Sequence, residues 1–372
     1  MIAACSLLLV PLALALAHLV EAPPLWLFLV GVLAIVPLAE WIRRATEQLA
    51  RIAGSAVGGL LNVTFGNTAE LVLALFVLSA GHPDVVKAQI TGSIIGNCLL
   101  GLGVAILVGS RGRASQRFGR ERAGMLSSLL ILSLIGLLVP AVFAHAERGA
   151  LARAEATTLV EKFSLGVAAV LLIVYVANLL YTLGTHRDAF ARDDAREGGG
   201  VCEGEAASDD GAGGDEESTW SLARALATLL VATIATALMA DVVSASLQAS
   251  ADALGVTTFF LGITVLAIIG NAAEYVSAAY FAARDRMSLV LAITVGSSIQ
   301  IALLVTPLLV IVSFFIGAPM NLVFRPLELA AIAAAAFAVN AIALDGETTW
   351  FEGLLLVAVY LIAAVAFFFL TP

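Results

Sequence analysis

The chain is poor in charge. Only 13% of its 372 residues are Asp, Glu, Lys or Arg, where a soluble domain carries roughly 25%. Hydrophobic residues make up 61%, and mean hydropathy is +1.02. A water-soluble globule is excluded on composition alone. Cysteine is scarce as well: Cys5, Cys98 and Cys202 are scattered, with no CxxC and no metal spacing. That excludes a disulfide framework and a zinc site. The four histidines, His18, His82, His145 and His186, fall at the ends of apolar runs or between them. Neither His nor Cys is expected in the cores of the apolar runs, which argues against soft-metal sites and against a Ser–His hydrolase. The opening stretch, Ile2 to Leu19, lacks a basic leader and reads as a first span rather than a cleaved signal.

Long apolar runs are what the chain has in plenty. They are too long, and too rich in Ala, Gly and Leu, for barrel strands of about ten alternating residues. A helix crosses a bilayer in about 20 residues, and only helices satisfy their own backbone in lipid. The reading is an all-α polytopic membrane protein of about eleven spans, near 2–20, 24–41, 55–80, 85–109, 123–144, 163–184, 221–247, 255–282, 287–316, 325–344 and 349–370. With the N-terminus inside, 14 of the 19 basic residues fall in inside loops and 5 in outside loops. The positive-inside rule then places the N-terminus in the cytoplasm. The Ala-, Gly- and Arg-rich usage points to a bacterial inner membrane. Between spans six and seven lies "HRDAFARDDAREGGGVCEGEAASDDGAGGDEES", with eleven acids and three arginines. It has little to bury and reads as a disordered cytoplasmic tether.

Two short motifs recur. "FGNTAE" ends at Glu70 and "IGNAAE" at Glu274, 204 positions apart. "TGSIIGN" (Thr91 to Asn97) is echoed by "VGSSIQ" (Val295 to Gln300), and Gly92 and Gly296 share the same offset. Two motifs in one register imply an internal duplication of five spans. Five is odd, so the halves cross the membrane in opposite senses, as in inverted-repeat transporters. The division expected is an N-terminal helix (1–22), a first repeat (23–186), the acidic linker (187–219) and a second repeat (220–372).

Each motif sets an amide and a carboxylate on neighbouring stripes of one helix face: Asn67 with Glu70, Asn271 with Glu274. An acid at the bilayer centre costs about 2.5–3.5 kcal/mol, so a functional site is the default. Carboxylates, amides and hydroxyls are hard oxygen donors, suited to Ca²⁺ as a transported substrate. Glu70 and Glu274 would balance its charge, with Asn67, Asn271, Ser93, Asn97, Ser297 and Gln300 as supporting ligands. With no cation present the two carboxylates repel, and protons neutralise them in its place; Ca²⁺ loading then releases protons. A site that crosses only when neutralised is an antiporter. Glu47 and Asp241 are acids placed to line an entry path. Glu328 and Glu352 lie near span ends and are expected to be solvated. Gly58, Gly59, Gly66, Gly262 and Gly270 would permit close helix approach or local unwinding.

"GGLLNVTFGNTAEL", "KAQITGSIIGNCLLGLG", "GNAAEY" and "VGSSIQIALLV" resemble the paired alpha repeats of the cation/proton exchangers, the Ca²⁺/H⁺ antiporters of the calcium/cation antiporter superfamily. The likeness runs from about Ala34 to the C-terminus. It implies eleven spans, the first lying outside two five-helix halves, and Glu70 and Glu274 as central Ca²⁺ ligands reached by sliding or rocking of two helices. It implies no cofactor and no nucleic-acid partner, and it leaves the oligomeric state, homo-oligomer included, open. Two positions depart from the family pattern: Tyr275 stands where a histidine is usual, and Gln248 where a glutamate is usual, while Asp241 is kept. A Na⁺/Ca²⁺ exchanger of the same superfamily and a cation channel are the alternatives. A channel would want rings of weak sites and a gate, which an inverted repeat with one central acid pair does not offer.

Overall fold

Residues 8–19, 22–53, 61, 65–147, 153–182 and 220–370 are described in a computed structural model of the chain. The acidic tether, Cys5, Cys202, His186, Gly58 and Gly59 lie outside the described residues. The described chain is helical apart from one two-residue strand pair. The helices are α1 (Leu9–His18), α2 (Pro24–Ala53), α3 (Thr68–Ser79), α4 (Pro83–Gly109), α5 (Arg120–Glu147), α6 (Arg153–Leu180), α7 (Leu222–Leu254), α8 (Thr258–Gly270), α9 (Ala272–Ala283), α10 (Met287–Phe315), α11 (Pro326–Asp345) and α12 (Trp350–Phe368). Eight of these are long and apolar enough to cross a membrane, and α8 with α9 makes a ninth if the bent pair is one span. Helix α2 continues through Arg43, Arg44 and Glu47, well past the expected span end at residue 41.

The element boundaries repeat at the offset of the motifs. α3 and α9 are both 12 residues long and begin 204 positions apart, as do α4 and α10. Two of the expected spans are interrupted. The chain turns at Gly66–Asn67 before α3 and at Asn271 before α9, where α8 and α9 bend by 52°. Asn67 (φ −98°, ψ 21°) and Asn271 (φ −95°, ψ 9°) adopt nearly the same non-helical backbone. Three helices also widen into π segments, at Gly96–Gly101 in α4, Leu261–Leu266 in α8 and Ile301–Val305 in α10. Such segments occur often at functional sites.

Small residues bring the central helices together. A Cβ at Gly92 of α4 would collide with the Ile263 carbonyl oxygen of α8, and one at Gly262 of α8 would lie 2.9 Å from the Val85 carbonyl of α4. α2 packs along α7, with Gly31 against Val243 and Trp41 against Trp220. The broad apolar faces of α6, α7 and α12, including Ile173, Val231 and Ile362, remain exposed, as lipid-facing surfaces do.

α4 fixes the direction of everything around it. Its Pro83 end follows the short turn from α3. Its Gly109 end meets Ala282, the last turn of α9. Beyond Gly109 a strap crosses the bundle: strand β1 (Gln116–Arg117) pairs antiparallel with β2 (Glu347–Thr348). Gln116 Nε2 donates to the Ala282 carbonyl (3.1 Å), and the Gly119 amide donates to Ser288 Oγ (2.9 Å).

Two expectations fail here. Glu328 is not solvated: it is 1% exposed, accepting from Thr91 Oγ1 (3.0 Å) and from the Arg325 amide (2.7 Å). A capping box at the start of α11 has drawn it inward, where it ties α11 to α4. Cys98 does sit in a helix core, fully buried in α4, and its thiol donates to Ser298 Oγ of α10 (3.2 Å).

Candidate functional site

Each carboxylate stands in the first turn of a half-helix, Glu70 in α3 and Glu274 in α9. Here the unpaired amides and aligned peptide dipoles favour negative charge. The asparagine before each half-helix makes no capping bond. Its amide is spent across the bundle instead.

Asn271 is fully engaged. Its Nδ2 donates to Ser93 Oγ (2.9 Å) and to the Ala267 carbonyl (2.7 Å), and its Oδ1 accepts from Asn97 Nδ2 (2.6 Å). Ser93 Oγ in turn donates to Glu70 Oε1 (3.4 Å). Asn67 Nδ2 donates to Gln300 Oε1 (2.8 Å). Glu70 packs on Gly270, where a Cβ would come within 2.9 Å of Glu70 Cγ. The network thus joins α3, α4 and the α8–α9 break, and Asn67 adds α10.

What the network leaves unpaired is as informative as what it pairs. Glu70 Oε2, Asn97 Oδ1 and Glu274 Oε2 are buried oxygens with no hydrogen-bond donor among the described residues, and the Tyr275 hydroxyl is buried without a partner as well. Glu70 is 4% exposed, whereas Glu274 is half-buried. The Tyr275 ring lies on the π segment of α4, filling the space that side chains at Gly96 and Gly101 would take. Among the described residues no cluster of three or more His, Cys, Asp or Glu could hold a metal. The hard donors near Glu70 are the carboxylate, amide and hydroxyl oxygens of Glu70, Asn97, Asn271 and Ser93.

Of the residues singled out from sequence, Glu70, Asn67, Asn271, Ser93, Asn97 and Gln300 are brought together, with Glu274 beside them. Ser297 is not: it is half-buried and makes no hydrogen bond among the described residues, while the next residue, Ser298, faces α4 and bonds the Ile94 carbonyl (3.3 Å). One residue along a helix is a turn of about 100°, which separates the two serines. Glu47 pairs with Arg43, which also forks onto Glu40 (2.9 Å). Arg43 and Glu40 both act electrostatically on Glu274, so Glu47 adjoins the site through Arg43. Asp241 is exposed on α7, in the stretch that packs near Gly31, and touches no site residue. Gln248 is exposed too and bonds Asp252 (3.1 Å). Sequence reasoning passed over Gln89, 3% exposed, whose Nε2 reaches the Glu70 carbonyl (3.4 Å). Gln89 lies inside the quoted stretch beginning at Lys87, but nothing in its spacing singled it out from its neighbours.

The profile of the family described as sodium/calcium exchanger protein matches residues 23–184 and 224–369. The chain is 41% identical over 349 residues to a Ca²⁺/H⁺ antiporter of Synechocystis sp., covering 92% of this chain and 90% of that protein. It is 37% identical over 362 residues to the Ca²⁺/H⁺ antiporter ChaA of Bacillus subtilis, with 97% of each covered. The structure of native YfkE matches with a TM-score of 0.78 at 33% identity over 97% of both chains. The crystal structure of the H⁺/Ca²⁺ exchanger CAX matches with a TM-score of 0.69 at 18% identity, covering 98% of this chain and 90% of that one, which shows a shared fold. This multi-pass membrane chain belongs to the sodium/calcium exchanger protein family and groups within it with the Ca²⁺/H⁺ antiporters.

Proposed function

We propose that the chain exchanges Ca²⁺ for H⁺ across a membrane by alternating access, with Glu70 and Glu274 holding either the cation or protons. The observation that carries this is the set of orphaned oxygens, Glu70 Oε2, Glu274 Oε2 and Asn97 Oδ1, with Glu70 and Asn97 positioned by the hydrogen-bond network through Ser93 and Asn271. A buried acceptor left unpaired costs about 1–3 kcal/mol. A hard divalent cation or protons would relieve that cost, and Ca²⁺ takes about 6–8 oxygens of this kind. Because Ca²⁺ needs deprotonated carboxylates, loading expels protons. Both ions therefore compete for the same two groups.

The eleven spans are read as α1 followed by two five-span halves of opposite sense, 23–186 and 220–372, joined by the tether at 187–219, with the N-terminus in the cytoplasm and the chain in a bacterial inner membrane. The matching breaks at Asn67 and Asn271 support this, since interrupted helices at the repeat interface hold the ions in such transporters.

The test is uptake of radiolabelled Ca²⁺ into proteoliposomes under an imposed proton gradient, without Na⁺. Wild type takes up Ca²⁺. Glu70→Gln and Glu274→Gln each abolish uptake while still inserting, and the double variant is no worse than either, because members of one unit are not additive. Near wild-type, proton-driven uptake by either single variant refutes the shared-carboxylate mechanism. An absolute need for Na⁺ moves the chain to the Na⁺/Ca²⁺ exchangers.

A further inference from the structure

A small cavity lies beside Glu70, between α3, α4 and the π segment of α10. Its polar lining is Glu70, Gln89 and Ser93, and its apolar wall includes Ile301, Val305 and Leu309. Two buried acceptors on this lining have no donor: Glu70 Oε2 and Gln89 Oε1. The orientation of Gln89 follows from its other end. Its amide reaches the Glu70 backbone carbonyl, which can only accept, so the nitrogen faces the carbonyl and the oxygen is the atom left over. A glutamine kept only for packing would gain nothing from a buried oxygen left unpaired.

We propose that Gln89 is a further Ca²⁺-binding residue, forming with the free oxygen of Glu70 a transit subsite distinct from the position between the two glutamates. The inference rests on the Ca²⁺/H⁺ exchange proposed above. The subsite has a side. Gln89 lies one turn from Ser93 towards the Pro83 end of α4, so the cavity extends from Glu70 towards the α3–α4 turn. Glu274 belongs to α9, whose end is held at the opposite end of α4 by the β1–β2 strap. A cation leaving Glu274 and Glu70 for the turn face meets Gln89 next.

The cavity's size says when it is used. It has room for about one water-sized body, enough for a bare cation and too little for a hydrated one. Glu70, Gln89 and Ser93 carry four side-chain oxygens, short of the 6–8 or so that Ca²⁺ takes. The subsite therefore fills when the apolar wall of Ile301, Val305 and Leu309 shifts and water completes the shell. A π segment, with its looser hydrogen bonding, is the part of α10 suited to that shift.

The test measures the apparent KM for Ca²⁺ from each face of the protein, in right-side-out and inverted proteoliposomes. Gln89→Leu keeps the bulk and removes the oxygen. It should raise the KM at the α3–α4 turn face about tenfold, the factor for one ligand worth roughly 1.4 kcal/mol, and leave the KM at the strap face within about twofold. Gln89→Glu, adding charge at the same place, should lower the KM at the turn face and slow turnover. A merely structural glutamine would move both faces together or neither, and either outcome overturns the proposal. If Gln89→Leu fails to reach the membrane, Gln89→Glu decides alone, and an unchanged KM at the turn face overturns it. If wild type exchanges Ca²⁺ for H⁺ and Glu70→Gln does not, yet Gln89 variants behave as wild type, the subsite falls and the exchange reading stands. If wild type itself does not exchange, the reading beneath it falls.

Discussion

Replacing Gly92 by alanine adds one methyl group where two helices touch. The new Cβ would collide with the Ile263 carbonyl oxygen and lie 2.7 Å from Ala267 Cβ and from the Ile263 carbonyl carbon. Carbon atoms settle at about 3.5–4.0 Å, so α4 and α8 must part by roughly 1 Å. The obstacle is backbone, which cannot swing aside as a long side chain could. Overpacking of this kind costs about 1–3 kcal/mol. The functional cost is larger than the stability cost, because the neighbouring residue is Ser93. Its bond from Asn271 is 2.9 Å, and the Asn97–Asn271 bond is 2.6 Å. An added 1 Å or so takes both beyond hydrogen-bond reach and frees the group that holds Glu70. Gly92→Ala should therefore insert, melt at a lower temperature and exchange Ca²⁺ at least about tenfold more slowly, since misplacement by 1 Å can cost about a hundredfold in comparable sites. Gly124→Ala is the control: nothing lies within 4 Å of that position, and alanine is the better helix former there. Melting by intrinsic fluorescence and proton-driven Ca²⁺ uptake read the two effects. Wild-type uptake by Gly92→Ala would show that the α4–α8 contact does not set the site geometry.

Asn271→Ala should reduce exchange more than Asn67→Ala, about tenfold against a few-fold, because Asn271 makes three bonds and Asn67 one, each worth about 1 kcal/mol; equal losses in initial uptake rate would contradict the network. Apparent Ca²⁺ affinity should rise with pH in wild type, since the cation displaces protons, and Glu70→Gln should flatten that dependence in equilibrium Ca²⁺ binding; an unchanged slope would place the exchanged protons elsewhere. Deleting residues 192–216, a stretch rich in acids and glycine, should leave Ca²⁺ uptake within about a few-fold, as expected of a tether; complete loss in a normally inserted deletion would assign it a working role.

The repeat was legible because its chemistry is conspicuous. An Asn and a Glu three residues apart inside an apolar run stand out against what lipid tolerates, and a second copy at one offset removes coincidence. In the structure Glu70, Ser93, Asn97 and Asn271 share one hydrogen-bond network, and Asn67 bonds Gln300 beside it. What could not be read depends on rotation and on partners distant in sequence. Ser297 and Ser298 are adjacent letters facing different ways on α10. Glu328 looked like a surface acid until Thr91 and the Arg325 amide enclosed it. Asp241 is exposed on α7, a placement that sequence spacing alone did not settle. The breaks at Asn67 and Asn271 follow from glycine-rich turns. The π segments have no sequence signature, because the extra residue per turn is imposed by packing, as where the Tyr275 ring occupies the space beside Gly96 and Gly101.

Gly296 stands 204 positions after Gly92, the glycine that lets α4 close on α8. If the halves trade roles during exchange, a close contact of the kind Gly92 makes passes to Gly296 in the opposite state, and a side chain at 296 would act as a doorstop against the return stroke. Position 296 is thus a handle for arresting the carrier.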